Sequence, residues 1–197
     1  MAPFCGRPLI AQVLGRFDKD LRSRIVVLTS EESSDDMLAD FVSNDCDVPV
    51  FRGELNDVVV RFQSAISEYP CEWFVRISGD SPLIDASLVE KMIGFCEGDF
   101  DIVSNVARRT FPAGQSVECV RSESFLAVES RNLTAEQREH VTKFYYDDAG
   151  SRIRSVVCKD PKWAGARMVV DYREDLETLQ AGVEQPESFG ELARLEN

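Results

Sequence analysis

Apolar residues at Leu9, Ile10, Val13, Leu14 and Phe17 recur three and four apart behind Pro8, a residue suited to a first helical turn. That spacing predicts a helix. Ile25-Val26-Val27-Leu28 is then an unbroken apolar run closed by Thr29-Ser30, the pattern of a strand buried on both faces. Met37, Leu38, Phe41 and Val42 return to helical spacing, with Ser33 or Ser34 as the N-cap. Val48-Pro49-Val50-Phe51 reads as short and extended, and Val59, Phe62 and Ile66 as a third helix. A strand at Trp73-Phe74-Val75-Arg76-Ile77 precedes a helix through Leu88, Val89, Met92 and Ile93, and Ile102-Val103 opens another strand. Alternation of this kind predicts an α/β fold, a mostly parallel sheet covered by helices on both faces.

The second half is less regular. Ser116 to Val120 and Ile153 to Cys158 read as strands. Thr134-Ala135-Glu136-Gln137 is a capping box that opens a helix through Val141, Phe144 and Tyr145. Met168-Val169-Val170 runs into Asp171, and a last helix begins near Arg173. No linker, repeat or low-complexity segment divides residues 1–197, which are expected to form one domain.

Composition narrows the function. The 35 acidic against 22 basic residues give a net charge of −13, which argues against nucleic acid or anionic membrane as a partner. Nucleotide phosphates are still accessible to such a chain through local Arg or Lys, backbone amides or a divalent cation. No apolar run reaches the length of a membrane span, and the beginning lacks the features of a signal peptide. The 6 cysteines are scattered without a C-x-x-C pair, which points to free thiols in a reducing cytoplasm.

Ligands of open parallel α/β sheets collect at the carboxyl ends of strands. Asp80 and Asp171 both stand there, each directly after an apolar strand. Two carboxylates joined by substrate phosphate oxygens suit Mg²⁺, while Gly79 allows close approach to the backbone and Pro82 stiffens the exit. The alternative is that Asp80 and Asp171 cap the helices that follow them. The single histidine, His140, excludes a His-rich metal site; a structural or oligomer contact suits it better than acid–base catalysis. Asp99-Phe100-Asp101 has the spacing of a D-x-D metal motif, but at the start of a strand it reads as an acidic loop.

The ordered set of motifs is more specific than any one of them. It comprises Gly6-Arg7-Pro8-Leu9-Ile10, Val50-Phe51-Arg52-Gly53 with Asp57-Val58 and Arg61, and Arg76-Ile77-Ser78-Gly79-Asp80-Ser81-Pro82-Leu83-Ile84-Asp85. Ser104-Asn105, Arg109-Thr110-Phe111-Pro112 with Gly114 and Val117-Glu118, Arg138-Glu139-His140-Val141-Thr142, and Val170-Asp171 with Glu174-Asp175-Leu176 follow. Together they resemble the sugar cytidylyltransferases, in the branch of the spore-coat polysaccharide biosynthesis proteins, related to enzymes that make CMP-activated acidic sugars. The resemblance implies a Rossmann-like nucleotidyltransferase fold of three α/β/α layers. It also implies attack of a sugar hydroxyl on the α-phosphate of CTP with departure of pyrophosphate, and a possible homodimer. On this resemblance Asp80 and Asp171 match the metal-binding pair.

Arg52 and Arg61 are candidates for nucleotide recognition, since a guanidinium forks onto phosphate or a base edge; the alternative is an ion pair with Asp57 or Glu54. Thr29 and Ser30 end a strand at the same edge, in reach of base or ribose. Arg109 and Glu118 match the stretch that lies towards the sugar, although Ala113 and Ser116 stand where relatives usually carry acidic residues. Members of the family normally begin with a strand and a basic, Gly-rich phosphate loop just ahead of the segment equivalent to Ala2–Pro8. The expectation is therefore a sheet lacking its usual first strand and a weakened catalyst. The alternatives are an inactive relative serving as a binding or dimerisation subunit, and a glycosyltransferase that uses a nucleotide-sugar donor.

Overall fold

The computed structural model describes residues 2–160 and 164–183. A small antiparallel hairpin, β1 (Pro3–Phe4) and β2 (Arg7–Pro8), leads into α1 (Leu9–Leu14). The short α2 (Lys19–Arg22) is capped by Asp18, whose side chain accepts the Leu21 N–H. Then β3 (Val27–Ser30), α3 (Asp36–Asn44), β4 (Val50–Gly53), α4 (Val58–Glu68), β5 (Trp73–Arg76), α5 (Ala86–Ile93) and β6 (Ile102–Ser104) alternate. After β7 (Glu118–Arg121) come α6 (Ser122–Leu126), α7 (Ala135–Glu139), α8 (Lys143–Asp147), β8 (Ile153–Ser155) and α9 (Arg173–Val183).

β3 and β4 pair in parallel, and a second sheet has the order β5-β7-β6-β8. Within it β7 runs against both neighbours while β6 and β8 are parallel, so β5, β6 and β8 share one direction. The crossover through α5 makes β5 and β6 parallel; residues 105–117 carry no helix, and the chain returns antiparallel between them.

The backbone bonds fix which groups are paired. Ser122 N–H donates to Glu72 O at 2.9 Å and Arg121 N–H to Asp101 O at 2.9 Å, so Phe74 and Arg76 turn their backbone groups to β7. Trp73, Val75 and Ile77 turn theirs the other way. On β3, Val27 N–H donates to Pro49 O and Glu31 N–H to Gly53 O, which leaves Val26, Leu28 and Ser30 facing off β4. Among the described residues no strand pairs with either outer row.

Two apolar layers cover the larger sheet. On one face Val75, Val103, Val117 and Cys119 pack with Val13, Phe17, Leu88, Val89 and Met92. On the other, Phe74, Ile102 and Val120 pack with Val59, Ile66, Phe125, Val141 and Phe144. Each fully buried side chain of this size contributes about 1.5–3 kcal/mol. α1 bridges the two sheets, because Val13 joins the first layer while Ala11 and Leu14 pack with Val27, Val42 and Val48. Phe4 packs with Leu83, Met168 and Leu179, tying the hairpin to α9.

The capping box forms as expected, with Thr134 and Gln137 bonding reciprocally. The single helix expected beyond it does not. α7 stops at Glu139 because Val141 adopts φ 56 while buried to 1%, and Thr142 N–H turns back onto His140 O at 2.6 Å. α2, α6 and the hairpin are too short to leave a periodic signal. The end of the expected domain, 184–197, lies outside the described residues. All six cysteines are free, and no helix among the described residues is long and apolar enough to cross a membrane.

Candidate functional site

Beyond β5 the chain folds across the carboxyl edge of the sheet as Ile77–Asp85. Asp85, and not Asp80, caps the following helix: its carboxylate accepts the Ser87 N–H at 2.8 Å. That leaves the Asp80 carboxylate accepting only from Ser81 Oγ, at 3.0 Å, among the described residues. The Asp80 backbone carbonyl accepts the Val170 N–H at 2.9 Å, so the residue before Asp171 is tied directly to Asp80. The two carboxylate residues singled out from sequence therefore meet at one edge.

What holds residues 166–170 there is a close backbone approach. Ala113 N–H donates to Ala166 O at 3.1 Å, and Met168 N–H to Ala113 O at 2.7 Å. Gly114 has φ 93, and a Cβ on it would lie 2.4 Å from the Met168 carbonyl, so only glycine fits. Two buried amides complete the frame. Gln115 donates to Leu83 O at 2.6 Å and accepts the Asp85 N–H at 2.9 Å. Asn105 donates to Gln115 O at 2.7 Å and accepts the Val117 N–H at 2.8 Å.

Asp171 does not cap α9. Instead Asp175, in the first turn, reaches back to accept the N–H groups of Asp171 at 3.0 Å and Tyr172 at 2.9 Å, while Arg167 bonds both Asp171 and Asp175. The Arg167 bond, with the Tyr172 N–H, holds the Asp175 carboxyl well below the usual carboxylate range. No group of three or more His, Cys, Asp or Glu side chains among the described residues forms a metal cage. A pair of oxygen donors without nitrogen or sulfur does fit Mg²⁺, which takes one or two carboxylates and completes its shell with water and phosphate oxygens.

The nucleotide-side candidates divide. Thr29 and Ser30 are buried, and both hydroxyls bond Asp35, at 2.7 and 2.5 Å. These bonds, the Ser30 hydroxyl first, pull the Asp35 carboxyl below its ordinary value. Arg52 is wholly engaged by the chain, bonding Ser30 O, Glu32 O and Asp36 at 2.9, 2.9 and 2.7 Å. All three stand at the carboxyl ends of β3 and β4 with these polar groups bonded within the chain. Arg61 differs. Its stem lies over Gly53, one nitrogen bonds Glu54 O at 3.0 Å, and its buried Nε has no partner. Neither Asp57 nor Glu54 forms an ion pair with it: Asp57 caps α4 and accepts from Ser130. Burial pushes the Arg61 guanidinium pKa down, opposed by Asp35.

Gly79 is exposed, and a Cβ there would meet only Ile10 Cδ1, at 3.6 Å. The fold has room for a side chain that the sequence withholds. Arg109 lies exposed in the loop after β6. Glu118 corrects the sequence reading, because it is 2% exposed and cannot meet a ligand itself. Its oxygens are engaged by Arg76 at 2.6 Å, Thr142 at 2.8 Å and Tyr146 at 2.5 Å. His140 is exposed at the end of α7, and Asp99 and Asp101 are bound by Arg152, as an acidic loop would be.

Sequence reasoning missed Asp35, which bonds the nearby Thr29 and Ser30, and Gln115, Thr142 and Tyr146, whose partners are distant in the chain. It also passed over Arg76, although a charge inside an otherwise apolar strand was a legible signal.

A family model described as Cytidylyltransferase matches residues 1–189. An uncharacterised protein of Methanocaldococcus jannaschii is 30% identical over 156 residues, covering 77% of this chain. The spore coat polysaccharide biosynthesis protein SpsF of Bacillus subtilis is 28% identical over 172 residues, covering 84%. The chain spans 62% and 68% of the lengths of these two curated relatives. A solved cytidylyltransferase structure from Leptospira borgpetersenii serovar Hardjo-bovis superimposes with a TM-score of 0.85 at 27% identity, over 93% of this chain and 78% of that one. A Rossmann-like α/β fold, a carboxyl-edge site and a family match over residues 1–189 agree: the chain belongs to the cytidylyltransferase family.

Proposed function

We propose that the protein transfers the CMP group of CTP to a sugar hydroxyl for cell-surface or spore-coat polysaccharide synthesis, with Mg²⁺ held by Asp80 and Asp171. The observation that carries this reading is the bond from Val170 N–H to Asp80 O, which ties the residue before Asp171 to Asp80 beyond the carboxyl end of β5. In the reaction the sugar hydroxyl oxygen bonds to the α-phosphorus and gives up its proton to solvent, the bond to the bridging oxygen breaks, and pyrophosphate leaves with that electron pair. Bound Mg²⁺ supplies charge neutralisation on the triphosphate. The chain's own part is positioning. Gly79 leaves space against the backbone, and Arg61, bonded to the chain through Glu54 O, supplies a guanidinium on the nucleotide side. Arg109, exposed in the loop after β6, is assigned to the sugar by the same reading. CTP as donor accords with a cytoplasmic location, and a homodimer, checked by light scattering, belongs to the same proposal.

Thermal unfolding with CTP, Mg²⁺ and both together tests the reading. The pair is expected to raise the midpoint more than either alone, and Asp80→Asn to abolish the joint effect. Ligand at about 100 times its dissociation constant stabilises by about 2.7 kcal/mol. An unchanged midpoint at millimolar Mg²⁺ and CTP overturns the proposal.

A further inference from the structure

Arg76 is the side chain at the carboxyl edge that the site as described leaves without a task. It stands at the end of β5, on the strand that leads to Asp80, and its side chain is 29% exposed. One nitrogen, Nη1, bonds Glu118 at 2.6 Å. Among the described residues Nε and Nη2 bond nothing, so two of its three nitrogens remain available. The neighbouring guanidinium groups contrast with it. Arg52 has all three nitrogens engaged by the chain and Arg167 bonds Asp171 and Asp175, while Arg16 and Arg61 each bond through one nitrogen, to a backbone carbonyl and not to a buried carboxylate.

The support beneath Arg76 is elaborate for a structural ion pair. Glu118 has a side chain only 3% exposed, and removing a carboxylate from water costs several kcal/mol unless it is fully bonded. Here it is fully bonded. Thr142 and Tyr146 occupy one oxygen and Arg76 the other, while Tyr146 also lies 2.6 Å from Ser104 Oγ. Thr142 reaches Glu118 only because the chain turns at Val141, a buried β-branched residue at φ 56. Such backbone strain costs about 1–3 kcal/mol and concentrates at functional sites. A well-packed apolar pair in place of Arg76 and Glu118 would often be as stable or more so. The arrangement therefore does something that stability does not require: it holds a guanidinium fork at a fixed place and angle.

We propose that Arg76 is an oxyanion-binding residue, receiving a carboxylate or phosphate group of the bound substrate, with Glu118 as its positioning residue. This rests on the cytidylyltransferase reading for the identity of the substrate. The shared chemistry has two sources, the phosphates of the nucleotide and a carboxylate on an acidic acceptor.

The test follows the Nε–H resonance of Arg76 by NMR while full-length protein is titrated separately with acetate, inorganic pyrophosphate and Mg²⁺ with CTP. A shift with acetate assigns the group to a carboxylate, and a shift with pyrophosphate assigns it to phosphate. The anion's affinity should fall about tenfold or more in Arg76→Gln. Because that change orphans a buried carboxylate, the double variant R76Q/E118Q, which removes both charges, is measured beside it. Glu118→Gln, with the guanidinium present but released, should weaken the anion by an intermediate factor. Neither anion moving the resonance at tens of millimolar, or the folded double variant binding as well as wild type, overturns the proposal. Loss of the Mg²⁺ and CTP response with the anion response intact would instead sink the cytidylyltransferase reading and leave Arg76 standing.

Discussion

Two glycines at the site obey different constraints, and the difference is measurable. Gly114 sits at φ 93 with the Met168 carbonyl 2.4 Å from where a Cβ would be. Gly114→Ala combines a left-handed backbone penalty with overpacking, and should cost about 2–5 kcal/mol in urea unfolding. Gly79 has open space and ordinary backbone geometry. Gly79→Ala should leave stability within about 0.5 kcal/mol and still weaken Mg²⁺ with CTP about tenfold, because the methyl would occupy substrate space. Equal stability losses at both positions would remove the case that Gly79 serves a ligand. Side-chain chemistry shows the same division. Asp80 was legible because an apolar strand ended on it, whereas Glu118 looked like a ligand-facing carboxylate and proved to be buried beneath Arg76.

At the scale of elements, local rules explain the starts of helices better than their ends. Thr134 caps α7 by bonding Gln137 N–H at 3.2 Å while the Gln137 side chain returns to Thr134 N–H at 3.0 Å. Thr134→Ala is expected to destabilise by about 1 kcal/mol, read from the denaturant midpoint at unchanged slope. The end of α7 obeys no local rule. Arg138-Glu139-His140-Val141-Thr142 has nothing to break a helix, and a valine at φ 56 is locally unfavourable. The break is imposed from outside, by Thr142 bonding Glu118 and by Val141 packing beside Phe125 and Phe144. α6, too short to show a period, forms because Phe125 fills the layer over β5 and β7.

At the scale of the molecule, the sheet is divided. β3 and β5 each pair on one side, and every residue of β5 is only half buried. Paired and outer groups alternate along each strand. In amide hydrogen exchange Phe74 and Arg76 should be protected while Trp73, Val75 and Ile77 exchange much faster, with Val27 and Thr29 protected against Val26 and Leu28. Uniform protection along β5 would show that a further strand or a second copy is seated on this edge. The assembly of the site also belongs to this scale. Asp80 and Asp171 come together because Gly114, Gln115 and Asn105 fasten three distant segments.

By itself the sequence determined the α/β alternation, the capping box, the place of Asp80 beyond the carboxyl end of β5, and the family. These rest on periodicity, local hydrogen bonding and ordered motifs, all written in neighbouring residues. The strand expected ahead of Asp171, by contrast, does not form, residues 168–170 being irregular. Tertiary structure decided the direction of β7, the break at Val141, the inward turn of Thr29, Ser30, Arg52 and Glu118, and the freedom of Arg76. Apart from Thr29 and Ser30, which bond the nearby Asp35, these depend on contacts between residues far apart in the chain, and no local pattern encodes whether a buried charge finds its partner or a ligand.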